Sequence, residues 1–358
     1  MRILYGVTGE GMGHATRSKV ILEHLLEGGH TVEVIVSGRA HEFLTRSFPE
    51  LPVHEVEGLE MVYEDNRVRK TKTAVGLLKK LTNVADNHDV MSTIKESFSP
   101  ELVISDFESL SYYFAKAGDL PIFSIDNMQV LNRCTLEVEI PEEERASFTL
   151  AKSVVKAKLP HCDHYLVTTF FFPPLRKERT SLFPPILRDA ILDAKAGASS
   201  GSHVLVYQTS DTFTELLPTL HRMPGEFIVY GLNRDEVVGN VTLKGFSEAG
   251  FVRDLATARA VIAGGGFSLM GEAVYLGKPM LAVPLEGQFE QTANALYLQK
   301  LGYGEYHREL SSDGIAAFLG KVDHYAGQLR AYTQDRNRLI LSAIDRLIEE
   351  VKVKGRLV

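Results

Sequence analysis

Cysteine is scarce in this chain of 358 residues, which contains only Cys134 and Cys162. Neither residue has a second cysteine or a histidine at zinc-finger spacing. The sequence therefore supports neither a disulfide scaffold nor a structural zinc site. We interpret both cysteines as core or surface thiols.

Long apolar runs are absent as well, because no uninterrupted run reaches the roughly 18 residues that suggest a membrane-spanning helix. Met1 leads almost directly into the strand-like segment RILYGV, without the charged and apolar regions of a secretory signal. We therefore expect a cytoplasmic protein. Acidic residues outnumber basic ones by 46 to 39, so the composition gives no electrostatic reason to expect nucleic acid as a partner.

Strand and helix patterns alternate along the whole chain. Short apolar segments typical of buried strands are followed by stretches whose apolar residues recur at helical spacing. A chain of 358 residues, 44% of them hydrophobic, is long enough for two α/β domains with separate cores. The alternation predicts two parallel sheets, each covered by helices on both faces.

The alternation breaks between residues 172 and 200, where prolines, charges and small residues accumulate before a new strand series starts at HVLVYQT. We therefore expect an N-terminal Rossmann-like domain over residues 1–172 and a second Rossmann-like domain over residues 173–327. Residues 328–358 have helical periodicity with no strand after it, which predicts a C-terminal helix that crosses back to the first domain.

Three consecutive glycines, Gly264, Gly265 and Gly266, end one predicted strand and open a predicted helix. The free backbone N–H groups of such a turn, together with the positive end of the helix dipole, favour phosphate binding. Ser268 adds a hydroxyl group. The alternative is a tight turn that needs glycine only for its backbone angles.

A second glycine-rich loop follows the first predicted strand and contains Gly9, Gly11 and Gly13. Its spacing differs from the GxGxxG fingerprint of dinucleotide-binding folds. In addition, no acidic residue closes the second predicted strand. These two departures disfavour NAD as a ligand.

The two halves resemble the inverting GT-B glycosyltransferases, both the UDP-glycosyltransferase superfamily and the bacterial transferase that adds GlcNAc to the peptidoglycan lipid intermediate. The likeness lies in GEGMGHATRS near the start of the chain and in a longer block that begins GGGFSLMGEAVYLGKPM. Within that block the matching positions are Gly266, Glu272, Gly277, Pro279, Pro284, Gln291 and Asn294. The resemblance implies two Rossmann-like domains that face each other across a cleft.

The resemblance also implies an activity: transfer of a sugar from a nucleoside-diphosphate donor, by analogy UDP, to a hydroxyl acceptor that is either lipid-linked or a small molecule. Glu272 falls where the family has an acid that accepts both ribose hydroxyls, a contact that suits a carboxylate. Glu290 and Gln291 match the acid and glutamine that bind the donor sugar. Taken alone, each of these residues is better explained as a solvated helix charge or amide, and their joint spacing reverses that interpretation.

One position departs from the family pattern, because many relatives have His or Arg where this chain has Gly264. Diphosphate binding is then assigned to backbone amides and to nearby hydroxyl groups, namely those of Ser268, Thr209 and Ser210.

His14 follows the first glycine loop and is the candidate general base for the acceptor hydroxyl, with a helix cap or surface residue as the alternative. Asp106 falls where the UDP-glycosyltransferases have an aspartate that holds the catalytic histidine and would orient its ring. The alternative for Asp106 is the N-cap of the next helix. Asp126, Asn127 and Gln129 end the following strand and are expected to line the acceptor cleft.

No DxD motif, the acidic pair that holds a metal–diphosphate complex in many other sugar transferases, occurs in the chain. We therefore expect no metal and no cofactor other than the nucleotide-sugar co-substrate. Two alternatives remain open, since a fold does not determine a reaction. One is a nucleotide-sugar hydrolase or epimerase, and the other is a non-catalytic protein that binds a nucleotide sugar.

Residues 66–81 form a basic segment without acidic residues in a protein that is acidic overall. Its cations include Arg67, Arg69, Lys70, Lys79 and Lys80. A solvated surface loop is the ordinary explanation. The alternative is reversible, peripheral contact with an anionic membrane or an anionic acceptor on the cytoplasmic side.

Overall fold

Two seven-stranded sheets organise the computed structural model, which describes residues 1–9, 11–57, 63–64, 67–68, 87–208 and 215–355. The strands of the first half are β1 (Arg2–Val7), β2 (Thr31–Val36), β3 (Val53–Glu55), β4 (Tyr63–Glu64), β5 (Arg67–Val68), β6 (Leu102–Asp106), β7 (Ile122–Asp126), β8 (His164–Thr168) and β9 (Thr180–Phe183). The first sheet is parallel throughout, in the order β3-β2-β1-β6-β7-β8-β9, while β4 and β5 form a separate antiparallel pair.

Helices cover both faces of this sheet. They are α1 (Met12–Glu27), α2 (Arg39–Ser47), α3 (His88–Thr93), which continues as a π-helix (Ile94–Phe98), α4 (Ser109–Ala117), α5 (Val130–Arg133), and α6 (Arg145–Lys158), which follows a 3-10 turn (Glu142–Glu144). Every residue of β6 and β7 is buried. This burial on both faces is the physical reason that these strands are nearly continuous apolar runs in the sequence.

The second half repeats this architecture. Its strands are β10 (His203–Tyr207), β11 (Glu226–Tyr230), β12 (Glu236–Val238), β13 (Val241–Lys244), β14 (Ala260–Ala263), β15 (Met280–Ala282) and β16 (Gly304–Tyr306), in the order β12-β13-β11-β10-β14-β15-β16. Only the β12–β13 pair is antiparallel among these described strands. Its helices are α7 (Asp189–Ala194), with a 3-10 turn (Lys195–Gly197) after it, α8 (Leu216–His221), α9 (Glu248–Thr257), α10 (Phe267–Leu276), α11 (Phe289–Lys300), α12 (Ser312–Leu319), α13 (Val322–Leu329) and α14 (Arg338–Lys354).

The first sheet extends beyond residue 172, where we expected the N-terminal domain to end. β9 (Thr180–Phe183) pairs in parallel with β8 and is the edge strand of the first sheet. The boundary predicted at 172/173 is therefore too early. The strand has only four residues and lies among charges and prolines, which resemble a linker in the sequence. The connection between the two halves therefore starts after Phe183.

The last helix, α14, packs on the first half. Its buried face, which includes Ile344, Leu347 and Ile348, joins the same hydrophobic cluster as Ile3 and Tyr5 of β1. A separate cluster fills one side of the second sheet, and the largest cluster spans both halves. The two halves are thus held together by shared apolar packing as well as by α14.

Each sheet contains one point at which the strand order reverses, between β1 and β6 in the first half and between β10 and β14 in the second. Ligands of open α/β sheets bind in the crevice at the carboxyl ends of the strands that flank such a point. Val7 and Asp106 are paired at the ends of β1 and β6, and the glycine run 264–266 follows β14. The topology thus locates the candidate site.

Candidate active site

The two glycine-rich loops lie opposite each other and approach closely. An ideal Cβ placed on Gly13, in the first turn of α1, would lie 2.3 Å from Ser268 Oγ, in the first turn of α10. A side chain at position 13 would therefore force Ser268 to move. The loop before α1 is anchored to β2, because Gly9 N donates a 2.9 Å hydrogen bond to Ser37 Oγ.

Between the two loops lies a cleft of about 330 Å³ that both halves line. The structure brings most of the residues singled out in the sequence to this cleft. From the first half these are Gly11, Gly13, His14 and Asn127, and from the second half Gly264, Gly266, Ser268, Glu272, Glu290 and Gln291.

His14 and Asp106 are in direct contact, with His14 Nδ1 2.7 Å from Asp106 Oδ1. The imidazole borders the cleft, whereas the Asp106 side chain is completely buried at the end of β6. Burial alone would raise the pKa of Asp106, but the adjacent Arg17 and His14 outweigh it and lower that pKa to about 2. Asp106 is therefore an ionised carboxylate against the imidazole.

The alternative interpretation of Asp106 as a helix cap is wrong. Glu108 caps α4 instead, since its carboxylate accepts hydrogen bonds from Leu110 N at 2.7 Å and Ser111 N at 2.6 Å. Asp106 is thus free of any capping role and turns toward α1.

Arg17 is the main residue of this centre that the sequence analysis did not identify. Its Nε donates to Asp106 Oδ2 at 2.7 Å, one terminal nitrogen also contacts Asp106 Oδ1, and the other donates to Asn127 Oδ1 at 2.9 Å. Ser18 Oγ adds a 2.9 Å hydrogen bond to Asp106. The sequence signal that could have identified Arg17 is its spacing, because it follows His14 by three residues and therefore lies on the same face of the helix.

Two groups therefore compete for His14 Nδ1, because a terminal nitrogen of Arg17 lies 2.7 Å from it as well. If Nδ1 carries the proton, it donates to Asp106 and leaves Nε2 as a free acceptor. If Nδ1 is unprotonated, it accepts from Arg17, and Nε2 becomes the donor. The tautomer of His14 decides whether it can remove a proton.

The expected acceptor-side residues divide into two groups. Asn127 lies in the cleft, but Asp126 and Gln129 are buried and bond to each other, with Gln129 N donating to Asp126 Oδ1 at 2.7 Å. These two residues shape the turn after β7 rather than line the acceptor site.

On the other side of the cleft, the glycine turn opens α10. Gly265 has φ +90°, and a Cβ there would lie 3.0 Å from Gln291 O, so the turn requires glycine at this position. Gly266 is the N-cap residue, and no side chain caps this helix in the described structure. The first turn of α10, including Ser268, borders the cleft, and an uncapped helix N-terminus of this kind favours an anion.

Glu272 lies in the same cleft, one turn further along α10, but it has a partner that the sequence did not indicate. Arg188 from the connection between the two halves donates through Nε to Oε1 at 2.8 Å and through a terminal nitrogen to Oε2 at 3.0 Å. Its other terminal nitrogen donates to Glu248 at 2.9 Å. Burial raises the pKa of Glu272, and the guanidinium opposes that rise.

Glu290 and Gln291 point in different directions. Glu290 Oε1 accepts hydrogen bonds from Asn127 Nδ2 at 2.8 Å and from Asn294 Nδ2 at 2.7 Å, so it faces the first half. Gln291 Oε1 instead accepts from Leu285 N at 3.1 Å and supports the loop before α11. Burial raises the pKa of Glu290.

An exposed aromatic ring at the cleft was also missed. Phe246 follows β13, is 63% exposed and packs near Phe251. A large apolar side chain left open beside a polar cleft offers a flat surface to a ligand. Its position directly after a strand end was the available signal.

Several expected residues lie outside the described residues. These are Thr209 and Ser210 of the donor side and Arg69, Lys70, Lys79 and Lys80 of the basic segment, while only the backbone of Arg67 is described, in β5. Among the residues that the structure does describe, no three His, Cys, Asp or Glu side chains are grouped to hold a metal ion. Within those same ranges, none of the helices combines the length and apolar character needed to cross a bilayer.

Solved structures with the same two-domain architecture show which fold this is. LpCGTa in complex with UDP has a TM-score of 0.66 at 16% identity, over 96% of this chain and 98% of that one. The Streptomyces sp. SF2575 glycosyltransferase SsfS6, complexed with thymidine diphosphate, has a TM-score of 0.63 at 15% identity, over 97% and 99% of the two chains. The predicted α/β GT-B fold is confirmed.

The family follows from the sequence match. The model of glycosyl transferase family 1 matches residues 1–323, and the chain belongs to this family. An uncharacterized glycosyltransferase of Methanosarcina acetivorans is 24% identical over 329 residues, which cover 85% of each protein. The protein is therefore an enzyme, a glycosyltransferase.

Proposed function

We propose that this glycosyltransferase moves a sugar from a nucleoside-diphosphate donor, with UDP as the nucleotide, to a hydroxyl acceptor with inversion at the anomeric carbon. The observation that carries the proposal is that one cleft contains both a candidate general base and a candidate phosphate site. A histidine–aspartate pair, His14 and Asp106, lies on one side, and the uncapped N-terminus of α10 lies on the other.

The donor site is assigned to the second half. Backbone amides at Gly264, Gly265 and Gly266 and the Ser268 hydroxyl hold the diphosphate, where the helix dipole favours negative charge. Glu272 accepts the ribose hydroxyls, and Phe246 stacks on the base. The nucleotides in the LpCGTa and SsfS6 structures support a nucleoside diphosphate as the leaving group.

The donor sugar lies between the two halves, next to Glu290. This carboxylate is held from both sides, by Asn127 and by Asn294, and so has a defined position at the floor of the cleft. Gln291 contributes through the loop that it supports, and its amide remains a second candidate for a sugar hydroxyl.

His14 is the general base in this proposal. The Nδ1–H group donates a hydrogen bond to Asp106, which leaves Nε2 unprotonated. Nε2 then accepts the proton of the acceptor hydroxyl as that oxygen attacks the anomeric carbon. Positive charge then develops on the imidazole, and the ionised Asp106 stabilises it. The transition state is oxocarbenium-like, and negative charge moves onto the diphosphate, where the amides of α10 stabilise it.

We further propose that transfer needs no metal. The chain has no DxD motif, and the helix N-terminus supplies fixed dipoles at the place where a metal would otherwise neutralise the leaving diphosphate.

The test is product analysis. The purified enzyme is incubated with a panel of nucleoside-diphosphate sugars and hydroxyl acceptors, with and without EDTA, and the product is examined by NMR. A glycoside of inverted anomeric configuration, formed at the same rate in EDTA, supports the proposal. Hydrolysis without acceptor, or an epimerised sugar, would instead support the hydrolase or epimerase alternative, and binding without any turnover would support a binding protein.

One form of the proposal gives a role to the basic segment 66–81, and in that form the acceptor is lipid-linked. Each basic residue near an anionic surface contributes about 1 kcal/mol, so these cations would give reversible contact with the cytoplasmic face of a membrane. Sedimentation with anionic vesicles at rising salt tests this: binding at low salt that is lost at high salt supports it. Wild-type protein that stays in the supernatant at low salt would point to a small soluble acceptor.

A further inference from the structure

Arg188 reaches the donor site from a firmly held part of the connection between the two halves. The preceding residue, Leu187, exchanges two hydrogen bonds with the Asn337 side chain, at 2.9 and 2.7 Å. Pro185 packs so closely on α10 that a Cβ on Gly271 would lie 2.8 Å from it. The backbone that carries Arg188 is therefore fixed, and it positions the guanidinium next to Glu272.

The contact with Glu272 is a bidentate ion pair inside the cleft. Both carboxylate oxygens accept one hydrogen bond each from Arg188, and both side chains are mostly buried, with 15% and 10% of their surfaces exposed. A buried carboxylate without a partner takes up a proton, and burial does raise the pKa of Glu272. The second acid, Glu248, keeps the guanidinium in place from the opposite side.

We propose that Arg188 is a positioning residue that keeps Glu272 ionised and oriented, and that the pair makes the donor site selective for ribonucleotides over 2′-deoxyribonucleotides. The proposal rests on the donor site described above, because it assigns Glu272 to the ribose. Arg188 also borders the cleft, and the proposal assigns its effect to Glu272 rather than to a contact with the nucleotide.

The chemistry explains the selectivity. Each oxygen of an ionised carboxylate accepts more than one hydrogen bond, so Glu272 can hold Arg188 and still accept one bond from each of two ribose hydroxyls. A protonated carboxyl group would use one oxygen as a donor. A 2′-deoxyribose offers a single hydroxyl and leaves a buried, charged acceptor with one bond fewer, which costs at least about tenfold in affinity for a charged group.

The experiment is calorimetry with matched ligand pairs, UDP against 2′-deoxy-UDP and GDP against 2′-deoxy-GDP. Wild-type enzyme should bind the ribonucleotide at least about tenfold more tightly. Arg188→Met should bring this ratio close to one, and Arg188→Lys, which keeps the charge but loses the bidentate geometry, should give an intermediate ratio. Arg46→Met is the matched control, because this arginine pairs with exposed Glu42 on α2 of the first half and should leave the ratio unchanged.

A double-variant comparison separates positioning from a general structural role. Glu272→Gln should abolish the preference, and Arg188→Met added to Glu272→Gln should not change the ratio further. If Arg188→Met weakens both ligands of a pair equally, Arg188 acts on the diphosphate or on folding, and the inference is overturned. If Arg188→Met does not fold, a wild-type ratio in Arg188→Lys overturns it.

Two wild-type results distinguish this inference from the proposed function. Equal binding of ribo- and deoxyribonucleotides would overturn the role of Arg188 while leaving the donor site intact. Binding of no nucleoside diphosphate at all would overturn the donor site itself.

Discussion

Asn127 joins Glu290 across the cleft, where its Nδ2 donates a 2.8 Å hydrogen bond to Glu290 Oε1. The other end of the same amide accepts from Arg17 at 2.9 Å, and Arg17 in turn holds Asp106. A continuous series of polar contacts therefore connects the candidate base on one side with the candidate sugar site on the other. Changes at either end of this series can be tested separately.

Glu290→Ala should weaken the binding of a nucleotide sugar and leave the affinity for the free nucleoside diphosphate nearly unchanged, because the diphosphate contacts lie at α10. Asn127→Ala should weaken nucleotide-sugar binding by less, because Asn294 still donates a hydrogen bond to Glu290. Gln291→Ala should also reduce sugar binding selectively. Calorimetry with UDP-glucose and UDP measures both affinities, and equal losses for the two ligands would place these residues at the nucleotide.

Gly266→Asp should fold and lose nucleoside-diphosphate binding, because it adds a negative charge to the anion site while its Cβ meets no atom within 4 Å. Gly266→Ala should keep the wild-type melting temperature. Gly265→Ala should lower it, since position 265 has φ +90° and is crowded by Gln291. Unchanged affinity in folded Gly266→Asp would remove the phosphate site from this turn.

Gly13→Ala should reduce donor turnover at least about tenfold, because the added methyl group collides with Ser268 and separates the two helix N-termini that must meet around the substrate. Gly13→Ala should cost less in a Ser268→Gly background, because the double variant Gly13→Ala/Ser268→Gly lacks the colliding side chain. Steady-state kinetics on the three variants, with Ser268→Gly as the control, makes the comparison. If Gly13→Ala slows the Ser268→Gly enzyme by the same factor as it slows wild type, the close approach is not what matters.

His14→Ala should lower turnover by roughly a hundredfold or more with little change in donor binding, as expected for loss of a general base. Asp106→Asn should lower it less, because the base remains and only its partner becomes neutral. Rates with a true acceptor and calorimetry with the donor give the two readouts. Wild-type rates in both variants would mean that the His14–Asp106 pair is not catalytic and that His14 is only a residue at the helix end.

Asp106 should also make stability depend on pH in the acid range. Its pKa is depressed in the folded protein from the ordinary 3.8 to about 2. A depressed carboxylate contributes stability that is fully present above its unfolded pKa and is lost as pH falls through the folded pKa. Between pH 5 and pH 2, wild type should therefore lose about 2 kcal/mol of unfolding free energy more than Asp106→Asn loses. Parallel losses in the two proteins, measured by urea denaturation, would contradict the shift.

The sequence predicted the site where a distinctive residue or motif lies at the end of a predicted parallel strand. The glycine turn at 264–266, His14 and Asp106 each follow a strongly apolar strand, and the carboxyl ends of parallel strands meet at one edge of a sheet. Glu272 was identified through its place on the helix that the glycine turn opens and through the family resemblance, and Glu290 was identified through the resemblance. For Glu272, sequence distance along α10 is sufficient, because the helix repeat determines its position relative to the glycine turn.

The edge strand Thr180–Phe183 shows where local pattern is insufficient. Four residues among prolines and charges carry little strand signal, and their pairing with β8 depends on the rest of the sheet being formed. The boundary between the halves was misplaced for this reason.

By itself, the sequence determined that the chain forms two α/β halves with a glycine turn and a histidine at strand ends, because apolar periodicity and glycine placement act through local backbone preferences. Only the tertiary structure decided which side chains pair. Arg17 with Asp106, Arg188 with Glu272 and Asn127 with Glu290 are separated by 89, 84 and 163 positions. Such contacts depend on how the two halves and their connection pack together, and no short stretch of sequence contains that information.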